Sequence, residues 1–303
     1  MSTDTNMAIC LPTLVPHRET LDAVQIKAVI DAAADAGFTG VQLWAAYVDW
    51  AAADGLPAAE LLDYHRERGL AIEAVEFFSE WSTTDLQHVR DAVTPVLDVA
   101  TQAGARAIIA VTLATVLPPL PVAAVGLRHA CDLAADRGLL ISFEFLPWTA
   151  VPTLSRALEL FDAVDRDNLG LVFDTWHWFR QPGGPDLNLL RSLAPEHVHL
   201  LQLNDAPAIA AEDLLTETGT ARLLPGDGAI DITAAISVLA EIGASPLVVS
   251  EVFSLALGRL GPAEFARQQF HATAKILERS RAGTTAFRDN GMADESRRPL
   301  GSE

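Results

Sequence analysis

Short apolar runs alternate with longer amphipathic stretches along most of the chain. The runs, rich in Val, Ile, Leu and Phe, are MAICL (7–11), GVQLW (40–44), AIEAVEFF (71–78), ARAIIAVT (105–112), LLISFEF (139–145), LGLVFDT (169–175), VHLLQLN (198–204) and PLVVSEV (246–252). Their length and near-continuous apolar character predict strands of a parallel sheet covered on both faces. Between them lie segments of helical periodicity, including LDAVQIKAVIDAAADAG, DLQHVRDAVTPVLDVATQAG, VAAVGLRHACDLAADRG and DITAAISVLAEIG, each closing on a glycine suited to a helix C-cap. A last helix, PAEFARQQFHATAKILERS, follows the eighth run.

Eight strand and helix units in about 280 residues predict an α/β fold, a single (β/α)8 TIM barrel over residues 1–280. A doubly wound sheet is the structural rival, but no G-x-G-x-x-G turn follows the first strand. The final stretch, 281–303, loses hydrophobic periodicity and is expected to be a flexible tail.

Composition narrows the function classes. Half of the 303 residues are hydrophobic, enough for a large core, and the formal net charge is −19. Such a surface repels phosphate backbones and anionic membranes, so no nucleic-acid or membrane partner is expected. Cys10 and Cys131 lie far apart without metal-ligand spacing, which suits a reducing compartment. The N-terminal MSTDTNMAIC lacks the basic and apolar regions of a signal peptide, and no apolar run reaches the ~18 residues of a membrane span. A cytoplasmic location is the expectation.

In a barrel of this kind the chemistry gathers at the C-terminal ends of the strands. The fifth predicted strand ends in Glu144, the sixth in Asp174, the seventh in Gln202 with Asn204 and Asp205 beyond, and the eighth in Glu251. Residues two apart share a face, so Ser142 goes with Glu144, Val172 with Asp174, Leu200 with Gln202 and Val249 with Glu251. If those faces point inward, three carboxylates and an amide oxygen converge, and such a set needs a cation. All-oxygen ligands favour Mg²⁺ or Mn²⁺, with Co²⁺ or Zn²⁺ also accepted. Any one of these acids taken alone reads as a helix cap or the partner of an arginine.

His177 follows Asp174 closely enough to reach the same mouth and is expected to contact substrate. Its bland reading is a satisfied core histidine. Arg222, in ARLLPGDGAID, is one of few cations there and can bind a substrate oxygen bidentately; a structural ion pair is the alternative. His197 and His199 have the opposite strand parity from Gln202 and are expected on the outer side. Trp44, Trp148, Trp176 and Phe253 are expected to wall the mouth and to stack on a sugar or cyclitol ring, with Trp44 and Trp148 as substrate contacts.

The motifs ISFEF, LVFDTWHW, VHLLQLNDAP, RLLPGDGAIDI and VVSEVF, in that order, resemble the sugar phosphate isomerase/epimerase superfamily of xylose-isomerase-like TIM barrels. The resemblance implies metal ligands at Glu144, Asp174, Gln202 and Glu251, with substrate contacts at His177 and Arg222. Ketose epimerases and inosose-type members commonly carry histidine at the third ligand, where this chain has Gln202; glutamine at that place also occurs among members resembling 3-dehydroshikimate dehydratases. Several dehydratase-like members bring a basic residue to strand three, where this chain has Glu76 and Glu80. An anionic or phosphorylated substrate is therefore less expected than a neutral polyhydroxylated one.

The resulting expectation is a metal-dependent isomerase or epimerase acting on a sugar, keto-sugar or cyclitol through an enediolate, with Glu144 and Glu251 moving the proton. The alternatives are a lyase sharing the same proton abstraction, and a non-catalytic sugar-binding or partner subunit. Family members form dimers or tetramers, which implies a possible homo-oligomer.

Overall fold

The computed structural model describes residues 6–16 and 20–295, with side chains up to residue 281. Strands β1 (Met7–Cys10), β2 (Gly40–Trp44), β3 (Ala71–Phe78), β4 (Ala107–Ala110), β5 (Leu140–Glu144), β6 (Leu169–Asp174), β7 (Val198–Leu203) and β8 (Leu247–Ser250) close in sequence order into one parallel barrel. This is the (β/α)8 architecture that the alternating pattern predicts.

Two cores form, because each strand has two buried faces. The outer core joins strands to helices through residues such as Ile9, Leu43, Phe143, Phe173 and Leu201. The inner one fills the barrel with Ala8, Cys10, Ala74, Ala107, Ile109, Val172, Leu200 and Val249. Small residues on β1, β3 and β4 face larger ones on β6 to β8, so the interior is packed rather than hollow.

The main surrounding helices are α1 (Ala23–Ala36), α2 (Ala45–Ala53), α3 (Ala58–Glu67), α4 (Leu86–Ala103), α5 (Leu120–Ala135) and α6 (Leu154–Val164). Shorter α7 (Thr175–Arg180), α8 (Leu187–Arg191) and α9 (Leu214–Thr220) precede α10 (Ile232–Glu241), the one-turn α11 (Leu255–Gly258) and α12 (Pro262–Glu295). Helix α1 starts on a capping box, in which Asp22 accepts from the Gln25 amide at 2.8 Å and Gln25 Oε1 accepts from the Asp22 amide. It stops at Gly37, whose φ of 104° a side chain would strain.

Helical backbone in α12 runs to Glu295, beyond the end near residue 280 that the apolar periodicity predicts. No proline interrupts the chain between Pro262 and Pro299, so nothing in the sequence forces the helix to end where its apolar stripe fades. The remainder of the expected tail, 296–303, lies outside the described residues.

One irregularity corrects a sequence expectation. Leu171 on β6 pairs with Val198, but the next residue, Val172, pairs with Leu200, leaving His199 as an extra residue in β7. A bulge resets side-chain parity below it. His199 therefore does not lie on the outer side: its Nδ1 is 3.0 Å from the Oγ of Ser142, on the inward face of β5. The space comes from Gly170, where a Cβ would sit 2.3 Å from His199 Nε2.

Candidate active site

At the C-terminal ends of the strands the inward faces carry polar residues instead of the inner core. Asp174 pairs in register with Gln202, Glu144 with Val172, and Gln202 with Val249, two residues before Glu251. The strand parity read from the sequence therefore brings Glu144, Asp174, Gln202 and Glu251 to one end of the barrel, all buried. Glu76 from β3 joins them, also buried.

Four buried carboxylates face one buried guanidinium. Arg222 Nη1 donates to Asp174 Oδ2 at 2.9 Å and to Glu251 Oε2 at 3.0 Å. Its Nη2 lies 3.2 Å from His177 Nε2 and donates to Thr218 Oγ1 at 2.7 Å. Arg222 is held by backbone tied on both sides. Its amide donates to the Phe253 carbonyl at 2.9 Å, and Leu223 exchanges two backbone hydrogen bonds with Asp205. The Asp205 carboxylate accepts from the amides of Gly226, Gly228 and Ile230, each at 3.0 Å, so the loop wraps around it.

The acids divide by environment. Burial, the largest single influence, would raise the pKa of Asp174, but the Arg222 charge, His177 and the Asn204 amide donating at 2.7 Å together outweigh it, so Asp174 is held low. Burial pushes Glu144 well up, and the neighbouring charges of Asp174 and Glu76 add to the effect. Glu251 is likewise pushed well up by burial, Arg222 offsetting this while Glu144 and Glu76 reinforce it. Without an added cation, the ionised form is therefore favoured at Asp174 and disfavoured at Glu144 and Glu251, and burial disfavours it at Glu76 as well.

His177 is fully buried and its pKa is lowered to about 3, burial being the main cause, with Arg222 adding to it and Asp174 opposing. Its ring is neutral at ordinary pH. Nε2 also lies 3.1 Å from Glu144 Oε1. Since Arg222 can only donate, Nε2 serves as an acceptor and Nδ1 bears the hydrogen, without a partner among the described residues.

The Gln202 side chain is half used. Nε2 donates to Glu251 Oε1 at 2.9 Å and to Gln42 Oε1 at 3.2 Å, whereas the buried Oε1 has no partner among the described residues. An orphaned carbonyl oxygen among excess carboxylates fits a cation. The donor atoms do not converge on a single point, however. Glu144, Asp174 and His177 have ligand atoms within 4.8 Å of one another, and so do Cys10, Glu76 and Glu251, with Arg222 bridging the two groups.

Sequence reasoning missed Gln42. Its Nε2 donates to Glu76 and, at 3.1 Å, to Glu251. A polar residue of the same parity as Trp44, in an otherwise apolar strand, was the available signal. Glu76 is an acceptor throughout, taking hydrogen bonds also from Trp44 Nε1 at 3.1 Å and Cys10 Sγ at 3.4 Å. Glu80, its sequence companion, is exposed and lies 2.8 Å from His88 Nε2.

Above this floor a cavity of about 310 Å³ opens, lined in part by Trp44, Trp148, His177, Arg222 and Phe253. Trp176 is not in its wall, contrary to expectation. Helix α7 turns Trp176 into the protein, where it is fully buried, donates to Glu217 at 3.1 Å and packs 5.6 Å from the Arg222 guanidinium. Trp178 is turned inward as well, against Phe173. A second cavity of about 570 Å³ lies at the opposite end of the strands, beside His199, Leu140 and Leu247. Its acids Asp167 and Glu196 are exposed and Glu73 is half-buried, so no fully buried carboxylate there calls for an ion, while burial lowers the His199 pKa to about 4. No helix among the described residues is long and apolar enough to cross a membrane.

Comparison with known proteins agrees with this fold. The chain is 29% identical over 205 residues to an inosose isomerase of Bacillus velezensis, covering 64% of this chain and 71% of that protein. It is 33% identical over 129 residues to a 3-dehydroshikimate dehydratase of Pseudomonas aeruginosa, covering 42% of this chain but 20% of that much longer one. Among solved structures, the IOLI protein with a bound zinc atom superposes with a TM-score of 0.74 at 20% identity, over 91% of this chain and 99% of the other. Residues 30–275 match the family described as xylose isomerase-like TIM barrel, and the chain belongs to that family.

Proposed function

We propose that this protein is a divalent-metal-dependent isomerase or epimerase of a keto-sugar or cyclitol, working through an enediolate. The observation that carries the reading is the buried carboxylate cluster at the strand ends, with, among the described residues, one guanidinium to balance it and the Gln202 Oε1 atom unpartnered. The names of the relatives, inosose isomerase foremost, support the substrate class. Glu144, Asp174, Gln202 and Glu251 are the residues that would hold the ion, Mn²⁺ or Mg²⁺ by ligand type.

Once bound, such an ion supplies a Lewis acid that lowers the pKa of a carbon next to a carbonyl. Asp174 and Glu251 then no longer need Arg222 as their sole counter-charge. Arg222 is freed to donate two parallel hydrogen bonds to a substrate oxygen that gains negative charge. His177 presents a neutral ring beside Glu144 and orients the same oxygen. Glu144 and Glu251 reach the site from β5 and β8, and the one that gives up its proton to the medium serves as base for the substrate C–H. The other returns a proton to the opposite face or to the adjacent carbon.

A second reading shares the first step. Loss of a β-hydroxyl after proton abstraction would make the protein a dehydratase, which the match to the 3-dehydroshikimate dehydratase and the amide of Gln202 favour. One experiment tests both. Purified protein is assayed for bound metal and incubated in D₂O with keto-sugars, inososes and 3-dehydroshikimate plus Mn²⁺, Mg²⁺ or Co²⁺. Isomer carrying deuterium supports the leading reading, and a dehydrated product supports the second. A protein that takes up no divalent ion and turns over none of these compounds is neither, and is better described as a binding subunit.

A further inference from the structure

The walls of the cavity do not match its floor. Apart from the indole of Trp148, the polar side chains lining it belong to the carboxylate cluster or are bonded to it: Thr218 Oγ1 accepts from Arg222, and Trp44 Nε1 donates to Glu76. Above them the lining is Val111, Leu146 and Phe253, with Phe77, Leu113 and Leu215 at the rim. Those three rim side chains are 40%, 59% and 57% exposed, on β3, the β4–α5 connection and α9 respectively. The apolar surface thus comes from separate elements and surrounds the opening.

A free sugar or cyclitol carries hydroxyls all round its ring. Seated with two oxygens on the floor, it would turn its remaining hydroxyls toward Val111, Leu113, Leu146 and Phe253, whose side chains return no hydrogen bond. Burying an unpartnered hydroxyl is unfavourable, and leaving these apolar side chains in water forfeits their burial. A compound with a polar end and an apolar end relieves both costs. The volume, about 310 Å³, is at the small end of ligand pockets and suits a head group plus one ring rather than a long chain. The indoles of Trp44 and Trp148 flank that space and offer aromatic faces.

We infer that the substrate is amphiphilic: a polyhydroxylated or keto-sugar head that enters the carboxylate floor, joined to an apolar group of about phenyl size that lies against Leu113, Leu146, Leu215 and Phe253. This rests on the proposed function for the head-group chemistry, and adds to it the class of substituent. A sugar glycoside or ether of an aromatic alcohol has this form.

The test uses phenyl β-D-glucopyranoside and methyl β-D-glucopyranoside as a matched pair, titrated calorimetrically into the Mn²⁺-equilibrated protein, with saturation-transfer NMR on both. The phenyl compound should bind roughly ten- to a hundredfold more tightly, the range set by burying one ring on an apolar wall. Saturation should be strongest at its ring protons. The double variant Leu113→Ser/Leu215→Ser, outside the polar floor, should lose that advantage while keeping its metal content and its affinity for the methyl compound. Equal affinities, saturation confined to sugar protons, or no binding of the phenyl compound would overturn the inference. So would sedimentation showing that the rim is covered by a second copy of the chain, with the double variant dissociating it. None of these results touches the metal-uptake and deuterium readouts, by which the proposed function itself stands or fails.

Discussion

Arg222 and Asp174 form an ion pair 2.9 Å long, with Asp174 fully buried and Arg222 nearly so. Asp174 also caps α7 by accepting from the His177 amide at 2.9 Å, so the same carboxylate fixes a helix start and a buried charge. Removing one partner of such a pair strands the other, which costs more than the pair itself contributes.

The Arg222→Ala variant should accordingly be about 3–5 kcal/mol less stable without metal, the usual scale for orphaning a buried charge. Mn²⁺ should restore a large part of this, because the ion compensates the same carboxylates, while turnover stays lost. Denaturant titrations with chelator and with Mn²⁺ measure it. Equal destabilisation in both conditions would remove Arg222 from the carboxylates' charge balance.

Glu144→Gln and Glu251→Gln should fold and retain most metal affinity, yet lose about 10²–10⁴ in turnover, the scale of a positioned base. Full activity in both variants would end the proton-transfer mechanism, whichever product forms.

His177→Ala separates two roles that the geometry leaves side by side, since the ring lies 3.1 Å from Glu144 and also near Asp174. Metal content should persist while catalytic efficiency falls. A variant that no longer binds Mn²⁺ would instead make His177 a ligand. In the companion variant Gln202→His, binding should shift toward softer ions such as Zn²⁺.

Stabilisation by metal should depend on pH. Glu144 and Glu251 have pKa values raised by burial, so in metal-free protein they keep protons that the unfolded chain has already released. That contribution to stability is present below the unfolded carboxylate pKa, about 4.3 for Glu. It is lost as pH rises through the raised values. An ion binding the ionised acids must displace those protons, so the shift in melting temperature caused by Mn²⁺ should grow from pH 5 to pH 8. A constant shift would mean that these glutamates are not among its ligands.

At the other end of the barrel, Gly170→Ala should destabilise by about 1–3 kcal/mol, the range for overpacking. Its Cβ would meet His199 Nε2 at 2.3 Å and the His197 carbonyl at 2.7 Å. Thermal melts would show it, and an unaltered melting temperature would argue against the inward placement of His199.

The barrel was legible because each strand is a short apolar run and the glycines at residues 37 and 104 mark helix ends with left-handed backbone. Period two carried the inward placement of Glu144, Asp174, Gln202 and Glu251 without any contact information. It failed at His199 because a single inserted residue in β7 inverts parity, and nothing in VHLLQLN announces the insertion. Trp176 was misplaced for a related reason: LGLVFDT reads as a strand that delivers the next residue to the mouth, but Asp174 starts a helical turn that swings the indole into the protein. Gln42 escaped because a lone amide in an apolar strand carries no spacing signal; only its neighbours across the barrel give it a role.

The way Arg222 is anchored governs how charge can move at this site. Its amide is tied to Phe253 and the following residue to Asp205, so its backbone is fixed to the tips of two neighbouring strands. When its carboxylate partners are taken by another cation, the guanidinium can change partners by rotation about its own side-chain bonds. On the proposed mechanism, the exchange of Arg222 between bound states should be set by torsional freedom in one side chain rather than by breathing of the described barrel rim.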